Sequence, residues 1–382
     1  MKIAYIGDFI NHGKSLAPTG TSIVFLLSTF QEVESIDVYC PIENEHVEEV
    51  TVPPKIRLIE AYKYDSVYSL LNLLKLHNSH YDKVLFNILS TAFGNSSVSN
   101  AFGISIPIIL VKLFGMDNIE VIYHNSVFTN DIEKLGYTGI YDKIRGRALG
   151  KIEKELFKTV STFVLLHVYK DRIDRSIGKN KVRFLNVRYL EAMATTFLND
   201  GDNKQELEIN TSNRIPVILL HGNWGPQKNI DLAIDSLEKI KTEGLDFKLR
   251  ISGGINHHFP EYEKHFMNVL ERHGFGSNYS GFVDEKDILD LFLTSDLLLL
   301  PYNTPGGHSA VLEQAIFFEI PTVAIDFPEY REQADGVGFV TLCSREEFHS
   351  IVKEVLSKLE TRENLEIQPK IIEVTNNIKR LI

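Results

Sequence analysis

The sequence predicts an α/β protein of two Rossmann-like domains, on three observations. Short apolar runs recur at intervals long enough for crossover helices. A polar stretch divides the chain near its middle. The 382 residues exceed what one hydrophobic core usually serves. In the first half, KIAYIG ends at a glycine, and the following PTGTSIVFLLSTF reads as a turn feeding an apolar helix. The runs IDVYC, KVLFN, IEVIYHN and TFVLLH continue the pattern of buried parallel strands. Residues 1–198 thus form the first domain. Residues 199–213, NDGDNKQELEINTSN, are polar, charged and poor in large apolar groups and read as a linker, and 214–382 form the second domain. There IPVILLHGNWG restarts the rhythm, Ile230, Ala233, Ile234, Leu237 and Ile240 share one helix face, and FKLRISGG, DLLLLPYN and PTVAIDF supply further strands. A closing segment over 371–382 is moderately amphipathic and either stays on its own domain or packs back on the first.

Composition narrows the function. Hydrophobic residues at 43% and charged residues at 24% suit a globular protein, and the net charge of −11 has the wrong sign for coating nucleic acid. Cys40 and Cys343 stand far apart without His or Cys at ligand spacing, so neither a disulfide framework nor a zinc site is signalled, and a reducing cytosol fits. The start is no secretory signal, and the apolar stretch 104–116, holding Pro107 and Lys112, falls short of the ~20 residues that span a bilayer. The chain is read as cytoplasmic.

Two stretches carry the chemistry. In PYNTPGGHSAVLEQAIFFEIP, residues 301–321, Gly306 and Gly307 join a strand to a helix whose first amides could bind an anion, helped by the helix dipole. Glu313, one turn in, would then suit two ribose hydroxyls. A plain Gly-Gly turn with a dipole-stabilised Glu is the alternative. In HGNWGPQKN, residues 221–229, Lys228 at a helix start opposes the dipole, which a bound phosphate would offset, whereas a solvent-facing lysine would be screened. Trp224 could simply cap the core.

The order G-x5-K, then a GG loop, GFV, SDLLLLP, and LEQA followed by PTVAID resembles the nucleotide-binding half of retaining GT-B glycosyltransferases of the large family-four group, glycosyl transferases group 1. The resemblance is strong over 217–330 and weaker across the N-terminal half. It implies GT-B architecture, with two Rossmann-like domains facing across a cleft. It also implies that Lys228 contacts the donor diphosphate, Glu313 the ribose, the backbone of Gly281, Phe282 and Val283 the base, and the amides of Gly306, Gly307, His308 and Ser309 the phosphate and sugar. Two positions depart from the pattern. Pro305 replaces the first Glu of the family's pair, and Asn223 replaces the basic residue after the first glycine. Asn303, His308 or Ser309 could hold the sugar instead.

Gly20 resembles the family's flexible glycine loop, with a plain turn glycine as the alternative. His124 ends a strand, where ligands of open α/β sheets gather, and the resemblance gives it a donor-sugar contact; a satisfied buried histidine is the alternative. Asn125 and residues 90–97 are candidates for acceptor contacts. GDFINHGKS misses the P-loop spacing by one residue, and no G-x-G-x-x-G follows the first strand, which argues against a nicotinamide dehydrogenase. Over residues 141–190, Lys and Arg outnumber Asp and Glu more than twofold. A basic amphipathic helix over 141–158 could meet an anionic membrane near a lipid-linked acceptor, or be a solvated face.

The expected function is transfer of a hexose, with retention, from a nucleotide diphosphate sugar to a hydroxyl of a glycan or lipid-linked acceptor. His124 and Lys228 would be catalytic, and the resemblance implies that neither cofactor nor metal is needed. Alternatives are an epimerase or phosphorylase of the same architecture, or a non-catalytic sugar-nucleotide-binding subunit.

Overall fold

A computed structural model describes residues 1–9, 17–42, 52–89, 92–126, 133, 139–178, 182–188, 190, 215–359 and 378–381. The expected linker at 199–213, residues 10–16 of the P-loop near miss, and residues 90 and 91 lie outside them. The chain divides into two units. The first comprises Met1–Ile132, Tyr137–Ala194 and Ile371–Ile382, and the second comprises Glu133–Gly136 and Thr195–Lys370.

In the first unit, strands and helices alternate as β1 (Lys2–Ile6), α1 (Ala17–Thr29), β2 (Ser35–Pro41), β3 (Ile56–Tyr62), α2 (Val67–Leu70), β4 (Lys83–Ile88), α3 (Ser97–Phe114), β5 (Ile119–Tyr123), α4 (Ile140–Thr159), β6 (Ser161–Val164), α5 (His167–Ile177) and β7 (Val182–Phe184). All neighbours pair in parallel, in the order β3-β2-β1-β4-β5-β6-β7. The central strands read as apolar runs because helices cover both faces and leave no side for polar residues. The order reverses between β1 and β4, which makes a crevice at their carboxyl ends.

The turn expected at PTGTS is instead the first turn of α1. Pro18 fits there because a first-turn residue needs no amide donor. Gly20 is buried, and a Cβ on it would stand 2.0 Å from the Asp8 carbonyl oxygen. The missing side chain therefore serves close packing of α1 on the segment after β1.

Helix α3 runs through Pro107, although an interior proline costs a helix about 3 kcal/mol. Burial of Ile104, Ile106 and Leu110, at roughly 1.5–3 kcal/mol each, outweighs that cost. By length and composition alone α3 could cross a bilayer, but these side chains lie in the core of the unit, as in a core helix of a globular protein. At the chain's end, Ile378 and Leu381 are buried and the Lys83 ammonium donates to the Leu381 carbonyl at 2.7 Å, which ties the tail to the first unit.

The second unit contains β8 (Val217–His221), α6 (Ile230–Thr242), β9 (Lys248–Ser252), α7 (Tyr262–Arg272), α8 (Glu285–Leu293), β10 (Leu297–Leu300), α9 (Ala310–Phe317), β11 (Thr322–Ile325), α10 (Pro328–Gln333), β12 (Val340–Cys343) and α11 (Phe348–Ser357). Its parallel sheet has the order β12-β11-β10-β8-β9. Ile230, Ala233, Ile234, Leu237 and Ile240 of α6 are all fully buried, as their spacing on one helix face predicts. Here the order reverses between β8 and β10. The segments leaving these two strands are 222–229 and 301–309, the same two that the sequence singles out.

Candidate functional site

Hydrogen bonds knit the two segments together at the carboxyl ends of β8 and β10. The Asn303 amide N–H donates to the Gln227 carbonyl at 2.8 Å, its side-chain amide donates to the Pro226 carbonyl at 3.0 Å, and the Asn229 side chain donates to the Pro301 carbonyl at 3.1 Å. Asn303 is thus a staple between loops, with one of its side-chain N–H groups held by the backbone. Trp224 is buried, with its indole N–H on the Ser252 carbonyl at 2.9 Å, and belongs to the core.

Lys228 ends a short 3-10 turn, Pro226–Lys228, and is partly buried. Burial pushes its ammonium down to about 7, and among the described residues it forms no ion pair with a carboxylate. Its charge rests on the face of the Tyr302 ring, 3.7 Å from the centroid. The neighbouring His221 is pushed down to about 4, by burial first and then by the charge of Lys228, so it is neutral at pH 7. A cation without an anion at a strand-end crevice is suited to a phosphate. Asn223 beside it is exposed.

Gly306 and Gly307 take φ of 67° and 133°, a conformation that other residues rarely adopt and that turns the chain sharply into α9. Ser309 caps this helix, its hydroxyl oxygen accepting the Leu312 N–H at 3.3 Å. Its own N–H donates to Gln333 Oε1 at 2.9 Å, and the Gln333 side-chain amide donates to the Ser309 carbonyl at 3.2 Å. The Ser309 amide is therefore engaged by the chain itself, while its hydroxyl, which accepts from Leu312, keeps an O–H to donate. Gln333 on α10, which fixes the loop's exit, is a residue that sequence reasoning missed.

Glu313, in the first turn of α9, is 2% exposed, and its Oε2 lies 3.4 Å from His308 Nε2. Burial pushes His308 down to about 4, so a neutral imidazole faces the carboxylate. His308 is thus turned toward Glu313. Gly281, Phe282 and Val283 run beside the end of β9: the Gly253 N–H donates to the Gly281 carbonyl at 2.6 Å, and the Phe282 ring, 75% exposed, lies next to Gly254. The second unit therefore gathers Lys228, the glycine turn, His308 and Glu313 around the same strand ends.

His124 and Gly20 belong to the first unit. His124 follows β5, is buried, and pairs through Nε2 with Asn87 Oδ1 of β4 at 2.6 Å. Next to it, the hydroxyls of Tyr123 and Ser126 each donate to the fully buried Glu153 of α4 at 2.7 Å. Asn87 went unnoticed in the sequence because it stands alone among apolar neighbours, and Glu153 because it stands among the other charged residues of its helix. The histidine is thus held by the fold at a strand end, and its side chain is part of a buried polar network.

Residues 202–370, somewhat under half the chain, match the family model described as glycosyl transferases group 1. No curated protein matches the chain. Among solved structures, sucrose-phosphate synthase from Thermosynechococcus elongatus superposes with a TM-score of 0.67 at 12% identity, covering 100% of this chain and 94% of that one. HepE from Anabaena in complex with UDP-glucose gives 0.58 at 12% identity, with coverage of 100% and 94%. α,α-Trehalose 6-phosphate synthase from Burkholderia multivorans gives 0.59 at 9% identity, with coverage of 100% and 93%. The chain has the GT-B fold of two parallel α/β sheets, and its second unit carries the sequence pattern of glycosyl transferases group 1.

Proposed function

We propose that the protein transfers a hexose from a nucleotide diphosphate sugar to a hydroxyl of a glycan or lipid-linked acceptor, with retention at the anomeric carbon. The observation that carries this reading is the Lys228 ammonium, without a carboxylate partner among the described residues, at the reversal of strand order in the second sheet. The bond from the anomeric carbon to the diphosphate breaks as the acceptor oxygen bonds to that carbon on the same face, and the acceptor proton passes to the leaving phosphate oxygen. Charge grows on the diphosphate, so Lys228 and the backbone amides at Gly306 and Gly307 stabilise the transition state more than the ground state. The reading is supported by the UDP-glucose held by HepE, a protein of the same fold.

Incubation with a donor labelled in the sugar tests it. The expected result is label in a glycoside of unchanged anomeric configuration, formed equally in the presence of a chelator because no metal is required. Normal donor affinity with neither transfer nor hydrolysis across a broad acceptor panel would favour the second reading, a sugar-nucleotide-binding subunit, which Pro305 motivates.

Glu313→Ala is expected to weaken nucleoside diphosphate binding about tenfold and leave pyrophosphate binding within twofold, as loss of a carboxylate that accepts ribose hydroxyls predicts. Equal losses for the two ligands, measured by calorimetry, would contradict the ribose role.

We also propose peripheral contact of α4 with an anionic membrane. Its second half packs Leu156 and Phe157 into the core, but Ile140, Tyr141 and Ile144 are 79%, 81% and 60% exposed, near the exposed Arg145, Arg147 and Lys151 of the same helix. Apolar insertion with basic side chains around it suits a lipid surface. Sedimentation with vesicles holding phosphatidylserine is expected to carry the protein down at low salt and release it at high salt. Absence of salt-sensitive binding would leave a solvated helix face.

A further inference from the structure

Tyr302 directly follows the strand end at Pro301 and is 1% exposed. Its ring packs against that of Tyr330 with centroids 6.3 Å apart, and its hydroxyl faces the His221 carbonyl at 3.5 Å. The Lys228 ammonium lies over the other contact of this ring, 3.7 Å from the centroid. Such a cation is drawn to the negative face of the ring, more strongly where water is scarce. A lysine stem is otherwise flexible, and its charge would wander.

The surrounding bonds keep ring and cation in register. Asn303, next to Tyr302, donates twice to the turn that ends in Lys228, and Asn229, next to Lys228, donates back to Pro301. The contact is thus bracketed on both sides. The choice of an aromatic partner also has a chemical consequence. A carboxylate in this place would hold the ammonium equally well, but it would cancel the charge and repel an incoming diphosphate. A ring face holds the cation and leaves its charge available.

We propose that Tyr302 is a positioning residue whose ring face seats the Lys228 ammonium, so that the charge meets a nucleoside diphosphate already oriented. The inference rests on the donor site assigned under the proposed function. Preorganisation of this kind removes the ordering cost that a loose lysine would bear on binding.

The test is calorimetric titration of UDP and of inorganic pyrophosphate into the wild type and the variants Y302F, Y302L and K228M, from pH 6 to pH 9. Y302F, which keeps the ring face, is expected to bind both ligands within twofold of the wild type at every pH. Y302L is expected to bind both about tenfold more weakly, with the weakening toward high pH setting in earlier, because the ammonium has lost a stabilising neighbour. Adding Y302L to K228M is expected to cost no further affinity. If Y302L does not melt cooperatively, Tyr302→Met takes its place with the same expectations. Affinity of the leucine or methionine variant within twofold of the wild type, beside a K228M that binds weakly, would overturn the seat and leave the donor site standing. Unchanged binding in K228M itself would instead remove the donor site.

Discussion

Replacing Lys228 with alanine is expected to raise the dissociation constant for a nucleoside diphosphate tenfold or more. The charge-assisted bonds lost amount to about 1.5–3 kcal/mol. The loss has a pH signature. Burial holds the Lys228 ammonium at about 7, so the side chain is charged below that value and sheds its proton above it. The diphosphate prefers the charged form, and wild-type affinity is therefore expected to fall between pH 7 and pH 9 while the alanine variant stays flat. Stability moves in the opposite sense. Between about 7 and the ordinary lysine value the unfolded chain keeps a proton that the folded chain has lost, so folding becomes more favourable as pH rises through that window. Lys228→Met is expected to remove that rise. Calorimetric titration and melting across pH read the two effects separately, and a pH-independent affinity in the wild type would contradict the account of the lysine.

Gly20→Ala is expected to destabilise the first unit by about 3 kcal/mol or more, through overpacking against a rigid neighbour. An exposed helix position would gain about 1 kcal/mol from the same change, because alanine is the better helix former. Here the added carbon would stand 2.0 Å from the Asp8 carbonyl oxygen and 2.6 Å from the Tyr5 hydroxyl oxygen. The first of these is backbone, held by the strand before it, and cannot rotate away. Helix α1 would have to lift from the sheet. At roughly 2–4 °C per kcal/mol, the melting temperature is expected to drop by about 6–12 °C. A variant that melts with the wild type would contradict the close-packing account of this glycine.

The contrast between what the sequence shows and what it hides follows burial. Each strand read from an apolar run has a helix over it, and the runs at 217–221 and 297–300 are unbroken for that reason. Strands β3, β7 and β12 left no such run, and all three lie at sheet edges, where one side needs no apolar cover. The candidate site was legible where a residue type is unusual for its place, as with a lysine at a helix start or paired glycines before one. It was not legible where an ordinary polar residue meets a partner far along the chain. Gln333 reaches Ser309 across 24 positions, and Glu153 collects two hydroxyls from residues near 124. Nothing local marks either of them. The bonds of Asn303 to the 226–227 backbone were hidden for a related reason, since a polar side chain in such a loop can equally hold the loop in shape.

The most direct measurement is a crystal structure of the protein with a nucleoside diphosphate soaked in. The account predicts phosphate oxygens within hydrogen-bonding distance of Lys228 Nζ and of the backbone N–H groups at the glycine turn, with the ribose at Glu313. A nucleotide bound elsewhere, with Lys228 still on the Tyr302 ring and the turn untouched, would contradict it.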